Sequence, residues 1–193
     1  MSAPDTRTRI LDVAQDLIQR RGVNGMSFQD ISDAVGIRTP SIHHHFAGKQ
    51  DLVEALLLRY RGEFDLRLAD ILASPLKAQT KLQRYAGLFE DTLQAGDHEK
   101  SCLCGMLAAE LLSLGEGPAR SVRGFLQDNV KQVAKILAEG RSDGSLDFRG
   151  SAEDAASMVL ATLEGGLLIA RAEGGPKRMA ALVRQLLSLL TAR

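Results

Sequence analysis

Hydrophobic positions recur every three to four residues along almost the whole chain, which predicts helix after helix and no sheet. Ile10, Val13, Ala14, Leu17 and Ile18 share one face. Asp5 or Thr6 stands where a cap belongs, and Gly22 is the stop after Arg20 and Arg21. Ser27 with Asp30 is a capping-box pattern ahead of a short second helix whose expected buried side is Ile31, Ala34 and Val35, and Gly36 breaks it. Thr39 as cap and Pro40 at the first helical position open a third short helix that runs to about His45. A long fourth helix follows from Lys49 to about Leu72. Pro75, Pro118 and Pro176 each follow a small residue and start a new helical pattern. Helices are expected near 75–95, 102–114, 118–141, 151–173 and 176–192, with Ser151 and Asp154 as a further box and the turn-rich 141–150 as a loop. The expected fold is all-α: a three-helix head, residues 1–48, on a larger helical body, residues 49–193.

Two short helices joined by a tight turn at Gly36 make a helix-turn-helix. Its second helix carries small and hydrogen-bonding side chains, Thr39, Ser41, His43 and His44, a set that fits the major groove of double-stranded DNA. Ile42 and Phe46, four apart, face inward. Arg38 before the helix and Lys49 after it sit where phosphates would pass. The run His43-His44-His45 invites a metal, but successive helical residues point about 100° apart and three in a row do not converge on one ion. No metal and no cofactor are expected.

Composition adds limits rather than direction. Apolar residues are 45% and charged residues 25% of 193, an ordinary globular balance, and the formal net charge is zero. Asp12, Asp16, Asp30 and Asp33 offset the arginines of the head, so sequence-independent DNA affinity should be modest. No uninterrupted apolar run of about 18 residues occurs, and the N-terminus lacks a signal-peptide core, so a cytoplasmic protein without a membrane partner is expected. Two close cysteines, Cys102 and Cys104, do not make a disulfide scaffold.

Residues 10–57, ILDVAQDLIQRRGVNGMSFQDISDAVGIRTPSIHHHFAGKQDLVEALL, resemble the N-terminal domain of TetR-family transcriptional regulators. The likeness is carried by the "RG" after helix one, Gly25-x-Ser27, the "DI..A.G" of 30–36, the aromatic-rich end of the third helix and the lysine after it. The resemblance implies a homodimer on a palindromic operator, most often a repressor released by a small apolar or amphipathic effector. The family pattern at 43–46 is Tyr-Tyr-His-Phe, with the tyrosines on backbone phosphates. His43 and His44 take those positions here, which implies a DNA affinity that weakens from pH 6 to pH 8. Ser27, His43, His44 and Lys49 are expected on phosphates. Arg38, Thr39 and Ser41 are expected on base edges with apolar contact from Pro40, and Arg38 alternatively on a phosphate. His45 either packs between helices or meets a phosphate.

The last two helices, AASMVLATLEGGLLIARA and MAALVRQLLSLL, are apolar enough for a four-helix dimer interface, with Gly165 and Gly166 allowing close approach. The middle helices should surround the effector, with Tyr85, Phe89, Met106, Phe125, Asn129 and Met158 as lining candidates. Glu110 and Glu164 lie in apolar runs and either anchor a ligand or, the favoured outcome, pair with an arginine. Cys102 and Cys104, at the expected start of a helix, are either small packing residues or thiol sensors of electrophiles and oxidants. Phosphate-binding loops, zinc-protease motifs and nucleophile elbows are missing from the sequence, which points away from an enzyme.

Overall fold

The computed structural model describes residues 5–95 and 97–192. Among them are nine α-helices and no strand: α1 Thr6–Arg21, α2 Phe28–Val35, α3 Thr39–His45, α4 Lys49–Ala73, α5 Ala78–Gln94, α6 Leu103–Ala109, α7 Glu116–Ser142, α8 Ala152–Ala172 and α9 Gly175–Leu190. A single turn of 3-10 helix, Leu111–Ser113, follows α6.

The expected punctuation accounts for most boundaries. The Asp5 carboxylate accepts the Thr8 N–H at 2.7 Å and caps α1, and Gly22 ends it with φ +80°, a conformation that disfavours any side chain. Ser27 and Asp30 form both halves of the capping box, at 3.1 and 2.8 Å. Gly36 closes α2 in the left-handed region.

Three local expectations are corrected. Ala34 is exposed and Ser32 takes the buried place, its hydroxyl donating to the Ile37 carbonyl at 2.5 Å across the turn. Thr39 is the first residue of α3 rather than its cap. Its hydroxyl lies 3.4 Å from Gln29 Oε1, and Pro40 occupies the second position, where a missing N–H also costs nothing. The helix expected over 102–114 stops at Ala109, because Glu110 leaves helical geometry and turns its carboxylate to another part of the chain.

The chain forms two compact units: Met1–Gly62 with Leu103–Gly124, and Glu63–Cys102 with Phe125–Arg193. In the first unit α1 packs on α2 and α6, and α2 on α3, over a core that includes Ile10, Ile18, Ile31, Ile42, Leu52 and Leu56. In the second, α5, α8 and α9 pack on one another through Leu82, Phe89, Leu163, Leu167, Met179 and Val183. The buried Lys81 ammonium bonds both Glu139 oxygens at 2.9 and 3.0 Å, which satisfies a charge that burial would otherwise penalise. By length and composition alone α8 could cross a membrane. Its Val159, Leu160, Leu163 and Leu167 are instead buried within the second unit.

Candidate nucleic-acid interface and effector site

In α3 Ile42 is fully buried and Phe46 nearly so. That anchoring turns Arg38, Pro40, His43, His44 and His45 outward, with Thr39 and Ser41 half-buried beside them. The turn before α3 is held by Ser32, whose carbonyl receives the Gly36 and Ile37 N–H groups at 2.9 and 3.1 Å, and by Arg9, which donates to the Val35 carbonyl at 2.5 Å. The Arg7 guanidinium lies 5.1 Å over the Phe46 ring. Helix α3 and the turn before it are thus held by contacts within the chain.

His43 is not a loose side chain. Its ring meets Phe28 edge-on at 5.0 Å, and its Nδ1 lies 3.3 Å from the Ala47 carbonyl. A carbonyl only accepts, so this contact requires the proton on Nδ1. The other ring nitrogen then donates only when the imidazole is charged. Ser27 is exposed, but its hydroxyl bonds the Asp30 carboxylate at 2.5 Å, which together with the Ser27 N–H holds that carboxyl below its usual range. The Lys49 ammonium donates to the Val23 and Met26 carbonyls at 3.1 and 2.6 Å, leaving one of its three N–H groups. Among the acidic residues that offset the charge of the head, Asp12 pairs with Arg59 at 2.6 Å and Asp16 with Arg20 at 2.9 Å. Neither carboxylate is left to repel a phosphate backbone unscreened. Among the described residues no cluster of three or more His, Cys, Asp or Glu could hold a metal ion.

The lining candidates are divided between the two units. Tyr85, Phe89, Phe125 and Asn129 come together inside the second unit. The Tyr85 hydroxyl donates to Asn129 Oδ1 at 3.0 Å, and Asn129 Nδ2 donates to the Phe125 carbonyl at 3.0 Å. Phe64 completes the cluster, edge-to-face with Phe125 at 5.0 Å and with Tyr85 and Phe89 at 6.4 Å. Its spacing from Leu68 and Ile71 on α4 was the available signal for it. Met106 and Glu110 belong to the first unit. Met158, expected to face the effector, is 68% exposed on the outer side of α8. A helix apolar around most of its circumference carries no phase, so sequence could not orient it.

The arginine partners expected for the two glutamates are corrected too. Glu110 accepts the backbone N–H groups of Val23 and, at 3.3 Å, Asn24. Glu164 receives the Cys102 thiol as donor, while its Oε1 is buried and accepts no hydrogen bond. Although the residue as a whole is half-buried, its carboxyl is enclosed, and burial raises its pKa to about 7. Neither cysteine is in a disulfide, and both are buried, at 2% and 0% exposure.

On α8 the two glycines differ. A Cβ on Gly166 would meet Met179 Sδ at 3.2 Å, so that position serves packing on α9 within the chain, while Gly165 opens outward with nothing within 4 Å. Met158, Leu168 and Ile169 on α8 and Leu189 on α9 are the exposed apolar residues of these helices.

Residues 10–56 match the family of bacterial regulatory proteins, tetR family. A TetR-family transcriptional regulator from Agrobacterium tumefaciens has the same fold with a TM-score of 0.91 and 35% identity, over 96% of this chain and 97% of that one. A TetR regulator from Legionella pneumophila superposes with a TM-score of 0.87 at 30% identity, over 99% and 100%. The HTH-type transcriptional repressor KstR2 of Mycobacterium tuberculosis is 28% identical over 138 residues, which are 72% of this chain and 66%, just under two thirds, of that repressor. The chain described above, a fixed helix-turn-helix followed by a helical body, belongs to the TetR family of DNA-binding transcriptional regulators.

Proposed function

We propose that the protein is a ligand-responsive repressor that acts in the cytoplasm as a homodimer on a palindromic operator. The side chains on and around α3 carry the reading: Arg38, Thr39 and Ser41 with Pro40 against base edges, and Ser27, His43, His44 and the remaining N–H of Lys49 against phosphates. The dimer forms through α8 and α9, whose exposed Met158, Leu168, Ile169 and Leu189 have no cover within the chain and whose Gly165 admits a close neighbour. An effector taken up among the aromatic side chains of the second unit favours a conformation that no longer fits the operator. It does so only by binding the two conformations unequally.

Selection of bound duplexes from a random pool by the purified protein tests this. A two-fold symmetric motif is the expected product, and recovery of no motif, with or without cell extract as a source of effector, would overturn the reading. On the selected operator, affinity is expected to fall several-fold from pH 6 to pH 8 at fixed salt. With Nδ1 directed at Ala47, a neutral His43 imidazole has no second N–H to give a phosphate, whereas a charged one has. An affinity flat across that range removes the histidines from the phosphate contacts.

A small molecule is favoured over thiol modification as the signal by the burial of both cysteines. Under native conditions a hydrophilic disulfide reagent is expected to label Cys102 and Cys104 at least ~100-fold more slowly than in denaturant, a modest bound for thiols protected by a fold of ordinary stability. Operator affinity should survive the treatment. Rapid stoichiometric labelling with loss of DNA binding would reverse the preference.

A further inference from the structure

Among the described residues, the second unit holds a carboxyl group without a counter-charge. Glu164 Oε1 is buried and accepts no hydrogen bond. The group that acts on the carboxyl is the Cys102 thiol, a weak donor, with no cation among the described residues acting on it, and the other titratable group within its field is the Tyr85 hydroxyl of α5. The polar side chains of the aromatic cluster are paired, since Tyr85 bonds Asn129 and Asn129 bonds the Phe125 carbonyl. Around Tyr85 stand the rings of Phe64, Phe89 and Phe125, each meeting a neighbour edge-on rather than stacked.

We propose that Glu164 and this aromatic cluster form a binding site for an organic cation, an amine or quaternary ammonium on an apolar frame, with the positive charge against the Glu164 carboxylate. The proposal rests on the reading of the second unit as the one that takes up the effector, and it names that effector's chemical class. Two independent features ask for the same chemistry. A buried carboxylate is stabilised most by a group of opposite charge, and aromatic faces attract cations in a desolvated setting. A neutral hydroxyl would satisfy Oε1 but would draw nothing from the rings beyond apolar contact. The rings are packed against one another, so the cation enters as they part. Its binding energy therefore favours a second arrangement of this unit over the one described, as an effector's must.

The test uses benzyltrimethylammonium and its uncharged isostere neopentylbenzene, which differ only in carbon for nitrogen at the charged centre, titrated calorimetrically into the full-length protein. At pH 8 the cation is expected to bind at least ~10-fold tighter than the isostere, a difference of about 1.4 kcal/mol. Glu164→Gln should remove that preference and leave the isostere unchanged, with thermal unfolding showing the variant folded. The preference should also grow from pH 6 to pH 8, since the carboxyl ionises near pH 7, while binding of the isostere stays flat. Equal binding of the two probes, binding of neither, or a preference that survives Glu164→Gln overturns the proposal. Its failure is distinguishable from failure of the repressor reading. A Glu164-dependent cation that leaves operator affinity untouched keeps the site and removes its regulatory role. An operator released by neutral compounds alone keeps the repressor and removes the site's specificity.

Discussion

Glu164→Gln is expected to make the protein more stable at pH 8 by about 3 kcal/mol, and the gain should disappear in acid. The sign follows from proton counting. Burial raises the folded-state pKa from the ordinary 4.5 to about 7, an effect only partly offset by the Cys102 thiol. Between those values the unfolded chain has released the proton and the folded chain still holds it. Stability therefore falls as pH rises through the window, and the full penalty is present above it. At about 1.4 kcal/mol for each pH unit the window amounts to about 3 kcal/mol. A neutral glutamine of the same length escapes the penalty, apart from what its own amide loses by burial. Denaturant unfolding at constant protein concentration from pH 4.5 to pH 8 measures the difference, which should shrink to under ~1 kcal/mol at pH 5. In a melt at pH 8 the gain should appear as roughly 5–10 °C. A difference independent of pH would show that the carboxyl is solvated and would weaken the case for a cation beside it. A carboxylate that costs this much without a counter-charge gains most from a bound cation, which links the stability to the ligand.

How far sequence carried the structure depended on whether a residue's neighbours were local. Asp5, Gly22, Ser27 with Asp30, Gly36 and Ser151 act on chain within five residues of themselves, and each is a boundary where the pattern placed one. Ile42 and Phe46 are buried as their spacing implies, and burial of those two sets the outward face of α3. The body was legible only as helices. Met158 faced the wrong way because α8 has no polar side to fix its phase, and Gly165 and Gly166 could not be told apart until α9 was in place. Glu110 and Glu164 stood out as carboxylates in apolar runs, which was a sound signal. Their partners lie 87 and 62 residues away, the first at the Val23 backbone and the second at Cys102, and no spacing rule reaches across such separations. The expectation of arginine failed for a specific reason in Glu110: backbone N–H groups left without helical partners after α1 supply the donors.

Lys49→Met is expected to lower stability by about 2–3 kcal/mol and to weaken operator binding with a reduced salt dependence. The loop between α1 and α2 is held from both sides. Glu110 takes the N–H groups of Val23 and Asn24, and Lys49 gives its protons to the carbonyls of Val23 and Met26, so the Val23 residue is bonded to an anion through one end and a cation through the other. Gly22 allows this, because its backbone is left-handed and a Cβ there would collide with the Glu110 carboxylate. Bonds to charged groups are each worth roughly 1.5–3 kcal/mol when enclosed, and the half-buried Lys49 realises only part of that for its two, while a methionine of similar length keeps the packing of the stem. The loop positions Ser27 and hence the start of α2, so its loosening reaches the reading helix through the α2–α3 turn. The salt slope separates the two roles of the ammonium. If its third N–H meets a phosphate, the slope of log K against log salt falls by about 0.9 for each of the two half-sites. If the ammonium acts only on the loop, affinity drops while the slope stays, and Lys49 leaves the set of phosphate contacts. Glu110→Gln supplies the comparison, because it weakens the same loop from the other side and carries no charge that DNA could meet. Its expected stability loss is similar in size. Its salt slope should equal that of the wild type, and a reduced slope there would mean that loop disorder alone changes the count of phosphates engaged.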